Sequence, residues 1–187
     1  MPYPAQISVD SILDTARAML EAEGYEALSL QRLAAALNVK APSLYRYFEG
    51  KTALLRAANE RLTHELVDAM RAAAETGDEG EARLLAMFRA YRAFALANPN
   101  GYALAFSSTI PDLRLDATVG EALALPLQAV MAEISGSARS LDALRGAWAL
   151  VHGFVTLELS GQFQRGGTLD AAFEQTIAAY VRGWSRR

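Results

Sequence analysis

The chain has 187 residues, 52% of them hydrophobic and 21% charged, which is ample for a packed core and excludes a disordered protein. It contains no cysteine, so disulfide frameworks and cysteine-based zinc sites are excluded. The net charge of −3 argues against a generally basic nucleic-acid binder, yet between positions 27 and 63 the cations Arg32, Lys40, Arg46, Lys51, Arg56 and Arg61 face only Glu49 and Glu60.

The opening "MPYPAQISVD" has neither the basic flank nor the apolar run of a secretory signal. Apolar stretches are broken by charge or glycine short of the roughly 18 to 20 residues that span a bilayer, so a cytoplasmic protein with no membrane partner is expected.

Proline and glycine divide the chain into helical pieces, and no alternating strand pattern stands between them. Ile12, Leu13, Ala16 and Leu20 form the apolar stripe of a first helix, with Ser8 as its N-cap and Gly24 as its stop. Ser29 caps a second whose inner face is Leu33, Ala34 and Leu37, and "NVK" makes a tight turn. A third starts near Pro42 and carries "SLYRYF". From Lys51 the pattern Leu54, Leu55, Ala58, Leu62, Leu66 and Met70 runs unbroken to Gly77, a rod of about 38 Å.

After the loop "ETGDEGE" a helix from Glu81 to Ala97 is ended by "NPNG", followed by a short "YALAF" segment and a turn at Pro111. A stretch from Ala117 to Ile134 contains Pro126, which predicts a kink or a split. Two long helices close the chain, Leu141 to Phe163 capped by Ser140 and Asp170 to Ser185 capped by Thr168. The expected fold is all-α: an N-terminal three-helix domain over 1–50, then a connecting helix and a helical bundle over 51–187.

Two motifs are decoys. Gly50, Lys51 and Thr52 reproduce the end of a nucleotide-binding P-loop, but the glycine needed five positions earlier is Tyr45, and no strand precedes it. "HELVD", His64 to Asp68, resembles a zinc-binding helix with its second histidine replaced, and no third ligand motif accompanies it. There is no nucleophile elbow and only two histidines, so no catalytic residue, metal or cofactor is assigned.

The second and third helices have the spacing of a helix-turn-helix, with Leu33, Ala34, Leu37, Val39, Leu44 and Phe48 as shared inner face. The outer face offers Gln31, Lys40, Ser43, Arg46, Tyr47 and Lys51, with Tyr45 at its edge. Arg46 can pair with guanine and Gln31 with adenine, Ser43, Tyr45 and Lys51 can hold phosphates, and Ala41 and Pro42 offer apolar contact. On spacing alone an alternative stays open: a helical ligand-binding or enzymatic protein whose cationic patch is incidental.

From Ile12 to Leu55 the chain resembles the DNA-binding domain of the tetracycline-repressor (TetR) family, through "ILDTA", "EGYEALSLQRLAAALNV", "SLYRYF" and "GKTALL". The resemblance implies phosphate contacts for Tyr45 and Lys51 and groove-facing positions for Gln31, Pro42, Ser43, Arg46 and Tyr47. Two positions depart from the family pattern. Asn38 replaces the usual turn glycine but tolerates positive φ, and Tyr47 stands where histidine is common.

"WALVHGFVTLELSGQF", Trp148 to Phe163, resembles the tryptophan-histidine-glycine (WHG) subgroup of these regulators. That implies a homodimer through the last two long helices, on whose stripes Trp148, Val155 and Leu159, and Phe173, Ile177, Tyr180 and Trp184, recur at helical spacing; packing inside one subunit is the alternative. Tyr91, Phe94, Tyr102, Phe106 and Phe154, with His152 and Glu158 as polar groups, are candidates to line a ligand pocket or simply to be core. The function these observations predict is a homodimeric DNA-binding transcriptional regulator. It would be a repressor that leaves a near-palindromic double-stranded operator when an apolar or amphipathic small molecule binds.

Overall fold

The computed structural model describes residues 7–106, 113 and 116–185, and among them every regular element is helical. In chain order these are α1 (Val9–Glu23), α2 (Leu30–Ala36), α3 (Ala41–Leu44), α4 (Lys51–Ala74), α5 (Gly80–Ala97), α6 (Pro99–Ala105), α7 (Ala117–Ser135), a 3-10 turn (Ser137–Arg139), α8 (Ser140–Leu159) and α9 (Leu169–Ser185). They make two compact units, one of Met1–Thr63 with Asn98–Leu115, the other of His64–Ala97 with Asp116–Arg187. The first unit is therefore discontinuous in sequence, and α4 belongs to both.

In the first unit Ser8 and Ser11 form a reciprocal capping box that starts α1, and Gly24, at φ 79°, ends it. The predicted stripe Ile12, Leu13, Ala16 and Leu20 is buried against Leu28, Leu33, Leu44, Phe48, Leu54, Leu55 and Leu104. The buried Asn59 amide of α4 donates to the Leu113 carbonyl at 2.7 Å, which ties that residue to the same core.

Here "NPNG" does not merely end a helix. Pro99 opens α6, where its fixed φ suits a first-turn position and its missing N–H is no loss. The Asn98 side chain supplies no cap; instead Glu21 of α1 accepts the N–H groups of Asn100 (3.1 Å) and Gly101 (2.8 Å). "YALAF" is accordingly most of a helix packed on α1.

The second unit packs α5, α7, α8 and α9 around Leu84, Met87, Tyr91, Leu127, Met131, Ala147, Val151, Val155, Phe173, Ile177 and Val181, all nearly inaccessible. Pro126 does not split α7, which is continuous from Ala117 to Ser135. By length and composition α7 is apolar enough to cross a bilayer, but Leu127, Val130 and Met131 are spent on packing within the unit.

Ser140 is not the cap of α8. The helix starts on it, its hydroxyl donates to the Ser137 carbonyl (2.9 Å) and accepts from Gln128 (3.0 Å), and the helix stops at Leu159, four residues before Phe163. The stripes predicted to make a subunit contact are partly consumed inside the chain. Val155, Phe173 and Ile177 are 0%, 1% and 0% exposed and offer no surface to a second copy, and Tyr180 sits over Gly146 with its hydroxyl on the Ala143 carbonyl at 2.7 Å.

Candidate nucleic-acid interface

The local sequence sets the geometry of α2 and α3. Ser29 accepts the Arg32 N–H at 3.2 Å and starts α2, and Leu33 and Ala34 bury its inner face. At the other end the Val39 N–H bonds to the Ala34 carbonyl (2.9 Å) and the Asn38 N–H to that of Ala35 (3.1 Å), the paired bonds of a Schellman stop. That stop needs a left-handed residue, and Asn38 takes it at φ 54°. Asn38→Gly is therefore expected to leave stability within about 0.5 kcal/mol of the parent and Asn38→Ala to lower it by about 1 kcal/mol, measured by urea unfolding.

The recognition segment is shorter than predicted. α3 spans only Ala41–Leu44, but the N–H groups of Tyr47 (2.9 Å) and Phe48 (3.0 Å) both reach the Leu44 carbonyl, so the chain stays coiled through Phe48. Leu44 and Phe48 are buried, which turns Pro42, Tyr45 and Arg46 outward; Gln31 on α2 and Lys40 in the turn are exposed as well.

The other three candidates are differently placed. Ser43 is half-buried, the Tyr47 hydroxyl donates to the Ile7 carbonyl at 2.8 Å, and the Lys51 ammonium donates to the Glu26 carbonyl at 2.9 Å. Ile7 precedes α1 and Glu26 follows it, so Tyr47 and Lys51 fasten the recognition segment to both ends of α1.

The local excess of positive charge is also sorted. Arg32 bonds both Glu23 oxygens (2.6 and 2.8 Å), and this hydrogen bonding holds Glu23 below the usual carboxylate range. Arg61 bonds Asp14 at 2.5 Å. Lys40 and Arg46 make no ion pair among the described residues and are exposed. Arg32 and Arg61 are thus paired, while Lys40 and Arg46 on the outer face stay open to a phosphate or a guanine edge.

Neither decoy is built into a site. Gly50 and Lys51 start α4, with the Leu54 N–H on the Gly50 carbonyl at 3.1 Å, and Asp68 of "HELVD" pairs with Arg71 at 3.5 Å.

The residues read as a pocket are divided between the units. Tyr102 and Phe106, with rings 4.7 Å apart, lie on α6 and its end in the first. In the second, Tyr91 meets Trp148 edge-on at 5.3 Å and its hydroxyl lies 3.4 Å from His152 Nδ1. Burial pushes the His152 imidazole below its usual range, which favours its neutral form. Phe94 is half-buried, and Phe154 packs between Phe163 (4.9 Å) and Phe173 (5.1 Å).

Glu158 is taken by the Arg92 guanidinium in a two-pronged pair at 2.6 and 2.7 Å. A depression of about 150 Å³ between α5 and α9, lined by Arg89, Arg92, Ala93, Leu96, Phe173 and Glu174, was not anticipated from the sequence. Three of its six lining residues, Arg89, Arg92 and Glu174, are charged.

Residues 12–58 match the family model described as bacterial regulatory proteins, tetR family, and residues 84–180 match the one described as tetracyclin repressor-like, C-terminal domain. The chain is 30% identical over 190 residues to an uncharacterised helix-turn-helix-type transcriptional regulator of Mycobacterium tuberculosis, covering 98% of this chain and 84% of that one. Among solved structures, a protein of unknown function from Rhodococcus sp. RHA1 superposes with a TM-score of 0.82 at 25% identity over 100% of both chains. A TetR variant from Acinetobacter baumannii AYE in complex with minocycline shares the fold, with a TM-score of 0.73 at 23% identity over 97% of this chain and 98% of that one.

Proposed function

Since the chain belongs to the tetracycline-repressor family and is a DNA-binding transcriptional regulator, we propose that it is a non-enzymatic, cytoplasmic repressor that binds a near-palindromic operator as a homodimer and is released by a small molecule. The observation that carries the reading is the α2–α3 pair, whose inner face is closed by Leu33, Leu44 and Phe48 while Gln31, Lys40, Pro42, Tyr45 and Arg46 stand exposed on the outer one. In this reading Arg46 and Gln31 read base edges, Lys40 and Tyr45 hold phosphates, and Ser43, Tyr47 and Lys51 join them at the backbone.

Exposed small residues on the last two helices, Ala149 and Thr156 on α8 and Ala172 and Ala179 on α9, support a close helix-to-helix dimer contact there. Trp148, Leu159, Tyr180 and Trp184 are half-buried and lie at the margins of those faces. This contact, and the Trp148 to Phe163 segment, suit the WHG subgroup.

The effector site is proposed in the second unit, around Tyr91, Phe94, His152 and Phe154. With Glu158 already paired to Arg92 and His152 biased towards its neutral form, the polar groups there favour an apolar or amphipathic effector. Release requires that it bind the two conformations of the dimer unequally, and about 5.5 kcal/mol of difference converts a 1:99 population into 99:1.

The test is fluorescence anisotropy with labelled duplex from upstream of the chain's own gene, against scrambled duplex, at several salt concentrations. Selective binding that weakens steeply as salt rises is expected. Equal, weak binding to both duplexes, repeated after selection from random sequence, overturns the reading.

A further inference from the structure

The basic residues of this chain fall into two chemistries with different addresses. Of its 18 basic side chains only two, Lys40 and Lys51, are lysines; the other 16 are arginines, and no lysine occurs after position 51. A lysine amine that has lost its proton is a nucleophile and the usual target of acylation, whereas a guanidinium keeps its proton and does not react. Both lysines lie in the first unit, one just before α3 and the other at the start of α4. A reagent that acylates lysine therefore finds its targets only beside the recognition segment.

The two amines are not equivalent. Lys51 is half-buried and its ammonium donates to the Glu26 carbonyl at 2.9 Å, so it must leave that bond before its nitrogen can attack. Lys40 is exposed and makes neither an ion pair nor a side-chain hydrogen bond among the described residues. Its backbone, by contrast, is fixed. Lys40 stands at the N-cap of α3 with φ −79° and ψ 140°, and its carbonyl accepts the Ser43 N–H at 2.9 Å. The side chain carries no part of the fold, so a change at Nζ alters charge and leaves the α2–α3 pair standing.

We propose that Lys40 is an acyl-acceptor site, at which an acyl phosphate removes the cation and weakens the grip on DNA. The proposal rests on the DNA-binding reading above. In the reaction the Lys40 Nζ lone pair adds to the acyl carbon and a C–N bond forms. The bond from that carbon to the phosphate oxygen breaks, phosphate leaves with the electron pair, and the nitrogen gives its surplus proton to water. The product is a neutral amide, with nothing oxidised or reduced. A phosphate contact contributes about 0.9 to the salt slope, so at about 0.15 M salt each Lys40 amide is expected to lower affinity about fivefold, on any duplex alike.

The test uses the full-length protein, acetyl phosphate as the acyl donor, and the selected operator and scrambled duplexes. Peptide mapping by mass spectrometry is expected to show Lys40 acetylated well ahead of Lys51, and excess operator is expected to protect it. Anisotropy is expected to show affinity for both duplexes falling by about fivefold per acetylated subunit, with base preference unchanged. Lys40→Arg keeps a cation that cannot be acylated. Under the same treatment its affinity is expected to stay within about twofold of its own untreated value.

Labelling of Lys51 ahead of Lys40, or a Lys40 amide that leaves affinity for both duplexes unchanged, overturns the proposal. So does a Lys40→Arg protein that loses affinity on treatment as far as the wild type does, because the loss then comes from another residue. A urea midpoint lowered by acetylation makes the loss one of fold and overturns it too. Untreated protein that binds no selected operator rejects the DNA-binding reading and the proposal with it, a result seen before any acyl donor is added.

Discussion

Arg92→Ala is expected to destabilise the second unit by about 3 to 5 kcal/mol, the range for removing one partner of a buried ion pair. The Arg92 and Glu158 side chains are 13% and 11% exposed, and a second acidic partner, Asp170, lies 2.7 Å from Nη1. Deleting the guanidinium leaves the Glu158 carboxylate in a largely apolar setting with neither of its two hydrogen bonds. It also strips the cation from above the Phe173 ring, 5.1 Å from its centroid.

The companion variant separates pairing from packing. Replacing Arg92 by Met and Glu158 by Leu together removes both charges and refills the space, and is expected to recover most of the loss. Urea unfolding followed by tryptophan fluorescence reads both. A midpoint that falls equally in the single and double variants would assign the loss to shape and not to an orphaned charge. The neighbouring Arg89–Glu174 pair is a useful contrast: at 52% and 42% exposed it is solvent-screened, and Arg89→Ala is expected to shift the midpoint far less.

The second large effect belongs to Arg46. If this exposed side chain pairs with a guanine, Arg46→Ala removes about 1 to 3 kcal/mol of discrimination per half-site, and a dimer loses it twice. Operator affinity is then expected to fall by a factor of about 30 to 10⁴, while binding to scrambled duplex falls only by the loss of one cation per subunit. A panel of duplexes substituted one base pair at a time should show selectivity flattened at one position in each half-site. Affinity that falls alike for operator and scrambled DNA, with the base preferences intact, would move Arg46 from the bases to the backbone. Lys40→Ala is the control, since a phosphate contact should lower the salt slope by about 1 and leave base preference unchanged.

How legible these features were depended on how far apart their causes lie in the chain. Ser8, Gly24, Ser29 and Asn38 act on neighbours within about five residues, and each does in the structure what its position predicted. α6 was misread because its cap is Glu21, some 80 positions earlier, so "NPNG" looked like an ending. Ser140 failed as a cap because a 3-10 turn runs straight into α8 and occupies its hydroxyl. Periodicity showed that Val155, Phe173 and Ile177 are buried, but not whether the same chain or another buries them.

The candidate site divides the same way. The outward turn of Tyr45 and Arg46 followed from the inward turn of Leu44 and Phe48, a matter of spacing. The bonds that occupy Tyr47 and Lys51 reach 40 and 25 positions back to backbone carbonyls, which carry no side-chain signature. Nor does aromatic content alone tell that Tyr102 and Phe106 belong to a different unit from Tyr91 and Phe154.

The brevity of α3 limits how much information the protein can extract from a genome. A recognition segment of one helical turn and the coil that follows, about 12 Å in all, lies against roughly four base pairs at 3.4 Å each. Four specified pairs recur by chance every few hundred, and two copies specify about eight, which recur about once in 65,000. A chromosome of about 10⁶ to 10⁷ base pairs would therefore hold about 15 to 150 accidental matches. For the homodimer proposed above, that figure already presumes one fixed distance between the half-sites, and each further spacing tolerated would add as many matches again, which makes the rigidity of the spacing between the two reading heads as much a part of the address as any base contact.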